Sequence, residues 1–334
     1  MAIKGVVGWV LCVLVLTSPA LAQLGPHAPL LAQQTLTPFG LDAPDAVEGA
    51  FFTVNPAANV ALGDFGVKRI IEQDVGRLDF AAGPKVDSYV QTLAWVDGNN
   101  YWKVARYDFD SDPAAVPRVF PEDVKASFSG ESWALTWARQ DDDLRWGLSF
   151  LPKNETQTRL YLANGVLQRI AYGEAYSTFS VRLGAQKPIT ETLTLGAVYN
   201  YEHNKTNFTA VSSGLDTAAA MAVAGSYDTN VGVLGLAWRP QMGTTVAADF
   251  EHGHIEGPFV SESINIWYFS VEQFLSPNWA AKITNLDDAW GIGVNYFKGT
   301  DYNIGASYAP SGFRRTSEYL GKCDLAYLWL AKSW

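Results

Sequence analysis

Four charged residues lie at positions where strand alternation would turn them to the polar face of predicted strands. They are Arg145, Arg182, Asp249 and Glu251. Opposite charges facing a common interior can filter ions as a porin constriction does. They can also brace a closed interior as buried pairs. The sequence leaves both interpretations open, and both need a fold that turns alternate residues inward.

The histidines are the next candidates, because imidazole is a common metal ligand. His252 and His254 are two residues apart and share one strand face. A zinc site needs further protein ligands, and no third or fourth ligand is evident near this pair. The acidic runs 141–143 and 287–288 lack the ligand spacing of an EF-hand. We therefore predict no metal site, a polar strand end at the histidines, and solvated turns at the acidic runs.

The remaining chemistry is sparse. A hydrolase would need a nucleophile beside a base, and no local nucleophile motif is present. The chain has 334 residues and a net charge of −10 without a basic cluster, which argues against nucleic acid as a partner. We predict that the protein is not an enzyme, has no catalytic residues and uses no cofactor.

The first 22 residues have the features of a secretory signal peptide. Lys4 gives a positive start, residues 6–16 are apolar, and 20–22 read Ala-Leu-Ala, a typical cleavage site. The apolar run is too short to span a bilayer. The mature chain would keep Cys323 alone, so it could form no intramolecular disulfide.

Apolar and polar residues alternate through most of the later chain. In residues 191–201, Leu195 and Tyr199 share one face, whereas Thr194 and Asn200 share the other. The polar face is built mostly from small residues, and charge lies mainly in turns, which suits a lumen better than the water-facing side of a soluble sandwich. The 13% aromatic content, with 12 Trp, favours aromatic girdles. The pattern predicts an all-β, transmembrane antiparallel β-barrel.

The lengths of the turns and loops indicate how the predicted barrel is oriented in the membrane. Four short turns are predicted at 187–191, 239–243, 275–278 and 298–301, and the connections between them at 204–230, 251–263, 285–288 and 310–321. Short turns on one side and mostly long loops on the other are typical of outer-membrane barrels. The apolar stretch 218–224 in the longest loop fits a lid helix, a docking surface or a further piece of strand.

Strand counting gives about 14 strands, with 12–16 possible. Sixteen alternating runs begin at Val86, and fourteen remain if 157–172 is a loop hairpin. An even number puts both chain ends in the periplasm. The predicted organisation is a signal peptide at 1–22, a hatch or plug segment at 23–64 and the barrel at 65–334.

The last strand, 322–334, ends on an aromatic residue. Ala326, Leu328, Leu330 and Trp334 share one face, and Lys332 interrupts it. A final aromatic residue resembles the signal read by the outer-membrane insertion machinery, which we therefore predict as a partner through Trp334. An ordinary last strand that ends in Trp is the alternative.

Two segments resemble a known family. Asn55-Pro56-Ala57-Ala58 resembles the NPA motif near the mature N-terminus of FadL-type transporters, a superfamily that includes PorV-type barrels. Residues 269–282 are similar to a late hairpin of that superfamily, although Ser270 and Lys282 replace its usual Gly and Arg, and 290–297 with 301–309 resemble its penultimate strands.

The resemblance implies a 14-stranded barrel in the outer membrane of a Gram-negative-type bacterium, surrounded by outer-membrane lipid. It implies a hatch in the lumen containing Asn55 and Pro56, with Phe51, Phe52 and Val54 as candidate lining of a substrate path. The expected function is passive passage of small hydrophobic compounds such as long-chain fatty acids. The alternatives are a PorV-type docking barrel for secreted proteins and a general porin.

Overall fold

The computed structural model describes a single sheet of fifteen strands. It covers residues 55–57, 60, 68–80, 83, 85–115, 124–162, 170–213, 218–241, 244–257, 260–276, 278–286, 289–298, 302–310 and 323–334. The strands are β1 Arg69–Phe80, β2 Lys85–Asp97, β3 Asn100–Ser111, β4 Ala114–Ala115, β5 Val124–Asp141, β6 Leu144–Leu162, β7 Ile170–Pro188, β8 Leu193–Ser213, β9 Ala218–Gln241, β10 Thr244–Gly257, β11 Val260–Ser276, β12 Trp279–Leu286, β13 Ala289–Lys298, β14 Tyr302–Ala309 and β15 Cys323–Ser333. Within these ranges, no helix is long and apolar enough to cross a bilayer.

The sheet closes on itself. All pairings are antiparallel, β1 pairs with the last strand β15, and β3 pairs with β5. The two-residue β4 pairs only with β5, so the wall is a closed barrel of 14 strands. Closure lets neighbouring strands satisfy each other's backbone groups, which a bilayer demands because it offers no water as a partner. The predicted fold class is confirmed.

The wall has the predicted 14 strands, but they are not the same 14 strands that the sequence suggested. Six of the sixteen predicted runs merge in pairs to give the long strands β5, β6 and β7. The described residues of 157–172 therefore belong to β6 and β7 and form no separate hairpin. The first strand, β1, was missed because we placed the start of the wall at Val86. Its outward face mixes Gln73 and Arg77 with apolar residues, and its inward face mixes Ile70 with charged residues, so the contrast between the faces is weaker than in the later strands.

Two of the predicted loops are wrong. Residues 204–230 belong mostly to β8 and β9, which run to Ser213 and restart at Ala218, so the apolar stretch 218–224 is strand. Residues 251–263 likewise belong mostly to β10 and β11. Beyond the lipid neither strand face has to be apolar, so pairing continues there without alternation. The predicted loop 310–321 lies outside the described residues except at Pro310.

The predicted short turns agree with the strand bounds, since each lies where one strand ends and the next begins. Above them, the outer face is apolar and open: Leu183 is 52% exposed, Leu234 62% and Leu328 63%. So many large apolar side chains on one continuous outer surface require lipid as their solvent. Near the turns four Trp rings form a contiguous ladder, in the order Trp95, Trp102, Trp137 and Trp146. Such a girdle marks one edge of the apolar band.

The inner face is polar and buried. Thr194 and Asn200 are at most 6% exposed, whereas Leu195 and Tyr199 on the same strand face outward at 45% and 48%. This is the alternation that the sequence predicted for β8. One outward row departs from it, because Gln73 and Gln91 pair in register across β1 and β2 and both face outward.

Candidate functional site

A short piece of the N-terminal segment lies inside the barrel, against the inner face of β6 and β7. Asn55, Pro56 and Ala57 are all buried, Asn55 and Ala57 completely. The Asn55 Nδ2 group donates a hydrogen bond to the carbonyl oxygen of Ala185 on β7, at 3.0 Å. This bond links the N-terminal segment directly to the wall.

The chemistry of the Asn-Pro-Ala sequence explains how this piece is held. The Ala57 N–H donates to Asn55 Oδ1 at 3.0 Å, which closes an Asx turn around Pro56. Proline has no N–H of its own to satisfy and presets the backbone of the turn. One side-chain oxygen therefore shapes the turn, while the nitrogen of the same amide remains available for the wall.

The wall at this point is made of glycine. Gly147 on β6 and Gly184 on β7 are register partners, and their positions face the lumen. A Cβ added at Gly184 would overlap Asn55 Oδ1 and come within 2.6 Å of Pro56 Cδ. A Cβ at Gly147 would lie 3.0 Å from the Pro56 carbonyl carbon and oxygen. Only glycine permits so close an approach of backbone to wall. We refer to Gly147 and Gly184 as the glycine seat.

A hydrogen-bonded network lines the lumen beside this seat. The Asn200 amide is its centre: its oxygen accepts from Ser180 Oγ at 3.0 Å and from Arg182 Nε at 3.4 Å, and its nitrogen donates to Glu202 Oε1 at 3.0 Å. Thr136 and Ser149 share a further hydrogen bond at 3.0 Å. Buried polar groups that satisfy one another in this way hold their side chains in single positions.

All four predicted lumen-facing charges occupy inner-face positions. Arg182, Asp249 and Glu251 are buried, with exposures of 6%, 1% and 9%. Arg145 is half-buried, and its Nε donates to Gln140 Oε1 at 3.2 Å. A role for these residues in selecting ions or bracing the lumen stays a prediction.

Sequence reasoning missed several further lumen charges. Glu72 and Asp74 on β1, Lys103 on β3, and the register pair Glu272 and Lys282 are all buried on the inner face. Glu72 and Asp74 were missed together with their strand. Glu272 follows the outward-facing Val271 and Lys282 precedes the outward-facing Ile283, so a strict period-two count along these two strands would have turned both charges inward.

Apolar side chains also face the lumen, and two groups of them bear on a path for solutes. Phe80 and Val86 are buried at the external ends of β1 and β2, with Val90 further in. Val198 and Val233 form a second buried cluster on β8 and β9. The first group lies at the end of the barrel opposite the short turns, whereas Glu72, Asp74 and Lys103 lie nearer the turns.

The three histidines in the described part of the chain lie on outward positions of β8 and β10. His252 and His254 hydrogen bond through Nδ1 to Asn265 and Ser263, and His203 bonds to Asp228. In the part of the chain that the structure describes, no group of three or more His, Cys, Asp or Glu is arranged to hold a metal ion. The path candidates Phe51, Phe52 and Val54 lie outside the described residues.

The closed 14-stranded wall defines the protein as a transmembrane β-barrel, and its fold is that of the FadL-type outer-membrane barrels. It is similar to the Pseudomonas putida toluene transporter TodX, with a TM-score of 0.56 and 12% identity over 93% of this chain and 98% of that one. It is also similar to the CymD monoaromatic hydrocarbon channel, with a TM-score of 0.54 and 13% identity over 84% and 91% of the two chains.

A third similar structure is a Pseudomonas aeruginosa FadL homologue, with a TM-score of 0.53 and 13% identity over 87% of this chain and 96% of that one. No family model and no curated protein matches the sequence. The similar structures are transporters and channels, not enzymes. At such low identity the likeness concerns the fold alone.

Proposed function

We propose that this protein is an outer-membrane transporter of a Gram-negative-type bacterium that passes small hydrophobic compounds by passive diffusion. The observation that carries the proposal is the Asn55-Pro56-Ala57 turn, hydrogen bonded to the inner wall at Ala185. We infer that this piece of the N-terminal segment, held against the inner wall, serves as a gate, and a gate suits a selective path. Long-chain fatty acids and monoaromatic hydrocarbons are the substrate classes to compare, the second because CymD and TodX channels carry it.

The lumen also argues against a general porin. Porins surround a water-filled channel, in which charged side chains are solvated. Here Asp74, Glu272 and Lys282 are at most 2% exposed, although all three face the lumen. Water therefore has little access at their level, which supports a closed resting state.

The docking alternative receives less support from the external side. A docking barrel should present a large loop surface, and we had expected residues 204–230 to supply part of it. Those residues are mostly strand, and only 214–217 separate β8 from β9. The feature that would have favoured docking is thus a regular hairpin.

Uptake by whole cells tests the proposal, because the lipopolysaccharide layer keeps hydrophobic solutes out unless a protein admits them. The protein would be expressed in a host that lacks its own FadL-type transporter. Initial uptake of labelled oleate, labelled toluene and a small polar sugar would then be measured. We expect faster uptake of one or both hydrophobic solutes and no change for the sugar.

Asn55→Ala provides the matched variant, since it leaves the wall intact while removing the Asn55 hydrogen bonds to Ala57 and Ala185. We expect it to change hydrophobic uptake at equal amounts of folded protein in the membrane. Faster sugar uptake with the natural protein would favour the porin instead. If no solute enters faster than in cells with an empty vector, the transport proposal is wrong and docking becomes the better candidate.

A further inference from the structure

The inner wall between β6 and β7 has a local shape that matches one segment of the same chain. Gly147 and Gly184 leave a shallow depression, and the Asn55-Pro56-Ala57 turn fills it so closely that a methyl group at either glycine would collide with it. Neither glycine has a positive φ among the described backbone, where Gly98 is the glycine with that conformation. The reason for glycine here is therefore space and not backbone conformation.

We propose that Gly147 and Gly184 are positioning residues that hold the N-terminal turn in the closed state of the barrel. Together with the Ala185 carbonyl oxygen they form its receptor site, which accepts the Asn55 amide and the Pro56 ring. The inference rests on the proposed gated transport, but it concerns how the gate is held and not what passes through it.

Shape and hydrogen bonding contribute separately to the placement of the turn on the wall. The Asn55 Nδ2 bond to Ala185 draws the turn onto the wall, and the missing Cβ atoms allow it to come within contact distance. Gly184 is the more informative of the two glycines. A Cβ at Gly147 would also lie 2.8 Å from the Cβ of Ala138 on the neighbouring strand, so its substitution would disturb the wall as well.

The test is the ion conductance of purified, refolded protein in planar bilayers, which needs no substrate. Gly184→Ala should displace the turn, and forcing a methylene into a close-packed contact typically shifts such an equilibrium by about tenfold to a hundredfold. We therefore expect the natural protein to be nearly silent and Gly184→Ala to spend at least about tenfold more time in conducting states.

Gly232→Ala is the matched control. It makes the same substitution within a strand, but a Cβ there would meet no atom within 4 Å. We expect its conductance to equal that of the natural protein. If Gly232→Ala conducts as strongly as Gly184→Ala, the effect is general damage to the wall and the proposal fails.

Asn55→Asp supplies a second variant that does not touch the wall. It keeps the oxygen that closes the Asx turn but loses the N–H that bonds Ala185, so it should also raise conductance. Once the turn has left the wall, adding Gly184→Ala should change little more, so the two effects should be less than additive. Fully additive effects, or a Gly184→Ala barrel that is correctly folded and silent, would overturn the proposal, as would a fully conducting natural protein.

Failure of the transport proposal would look different. If neither oleate nor toluene enters cells while Gly184→Ala still opens the barrel, the glycine seat is right and the substrate class is wrong. If hydrophobic uptake is observed and Gly184→Ala changes neither uptake nor conductance, transport is right and the seat is not its gate.

Discussion

Replacing Leu183 with Arg should destabilise the barrel far more than the same change at Leu195. Both side chains face outward and are about equally open, at 52% and 45% exposure. They differ in their depth within the apolar band. Leu183 is five residues from the end of β7 at Pro188, and Leu195 is two residues from the start of β8 at Leu193.

The depths follow from strand geometry. With a rise of about 3.3 Å per residue and a tilt of about 40°, Leu183 lies about 13 Å above its turn and Leu195 about 5 Å above. The apolar band of such barrels is about 25 Å tall, so Leu183 is near the midplane and Leu195 near the edge. Arginine costs about 2–4 kcal/mol at the midplane and at most about 1 kcal/mol near the interface.

The measurement is reversible denaturant unfolding of both variants in lipid vesicles, followed by Trp fluorescence and by gel mobility of the folded barrel. We expect Leu183→Arg to lower the unfolding free energy by at least about 1 kcal/mol more than Leu195→Arg. Equal losses would refute the depth assignment. A neutral or stabilising Leu183→Arg would refute lipid contact itself, because an exposed Leu in water tolerates Arg without loss.

Three smaller effects follow from the outer surface. Gln73→Leu should stabilise the barrel in vesicles by about 1 kcal/mol, because Gln73 faces outward beside Leu330 and its amide has no water to hydrogen bond with in lipid. An unchanged or lower unfolding free energy would argue that Gln73 is not in the apolar band. Trp102→Ala should cost about 1–3 kcal/mol in the same assay, because it removes ring contacts with Trp95 and Trp137, and Trp102→Phe should cost less. The hydrogen bond from Arg77, near the external end of β1, lowers the pKa of the Asp87 carboxyl. The pair therefore stabilises the fold above the ordinary carboxyl pKa and loses that effect as pH falls through the lowered value. The difference in unfolding free energy between the natural protein and Arg77→Ala should shrink on acidification, and a difference that is constant with pH would contradict the pairing.

The barrel class could be predicted from the sequence because lipid imposes a rule on every strand that crosses it. Within the apolar band one face must be apolar and the other is free to be polar, so alternation in β8 identified the inward Thr194 and Asn200 before the fold was known. The same rule ends where the lipid ends. It could not decide that β8 and β9 extend through residues 204–213 and 218–230, because both faces there lie outside the apolar band. A further piece of strand at 218–224 was therefore only one of three interpretations.

The candidate site was predictable only in part. The Asn-Pro-Ala sequence drew notice to residues 55–57 through its resemblance to the NPA motif of FadL-type transporters. Its turn is made by neighbouring atoms, Asn55 Oδ1 and the Ala57 N–H. Its placement at Ala185 depends on a residue 130 positions away in the chain. No pattern within a short stretch of sequence predicts a contact between residues so far apart in the chain.

By itself the sequence determined which face of most strands meets lipid, where the short turns fall, and that Asn55 and Pro56 form a tight turn, because each of these depends on residues close together in the chain. Only the tertiary structure decided that β1 completes the wall and that Gly147 and Gly184 form a seat for that turn. Those features arise when the barrel closes, since closure brings β1 beside β15 and the N-terminal turn against β6 and β7.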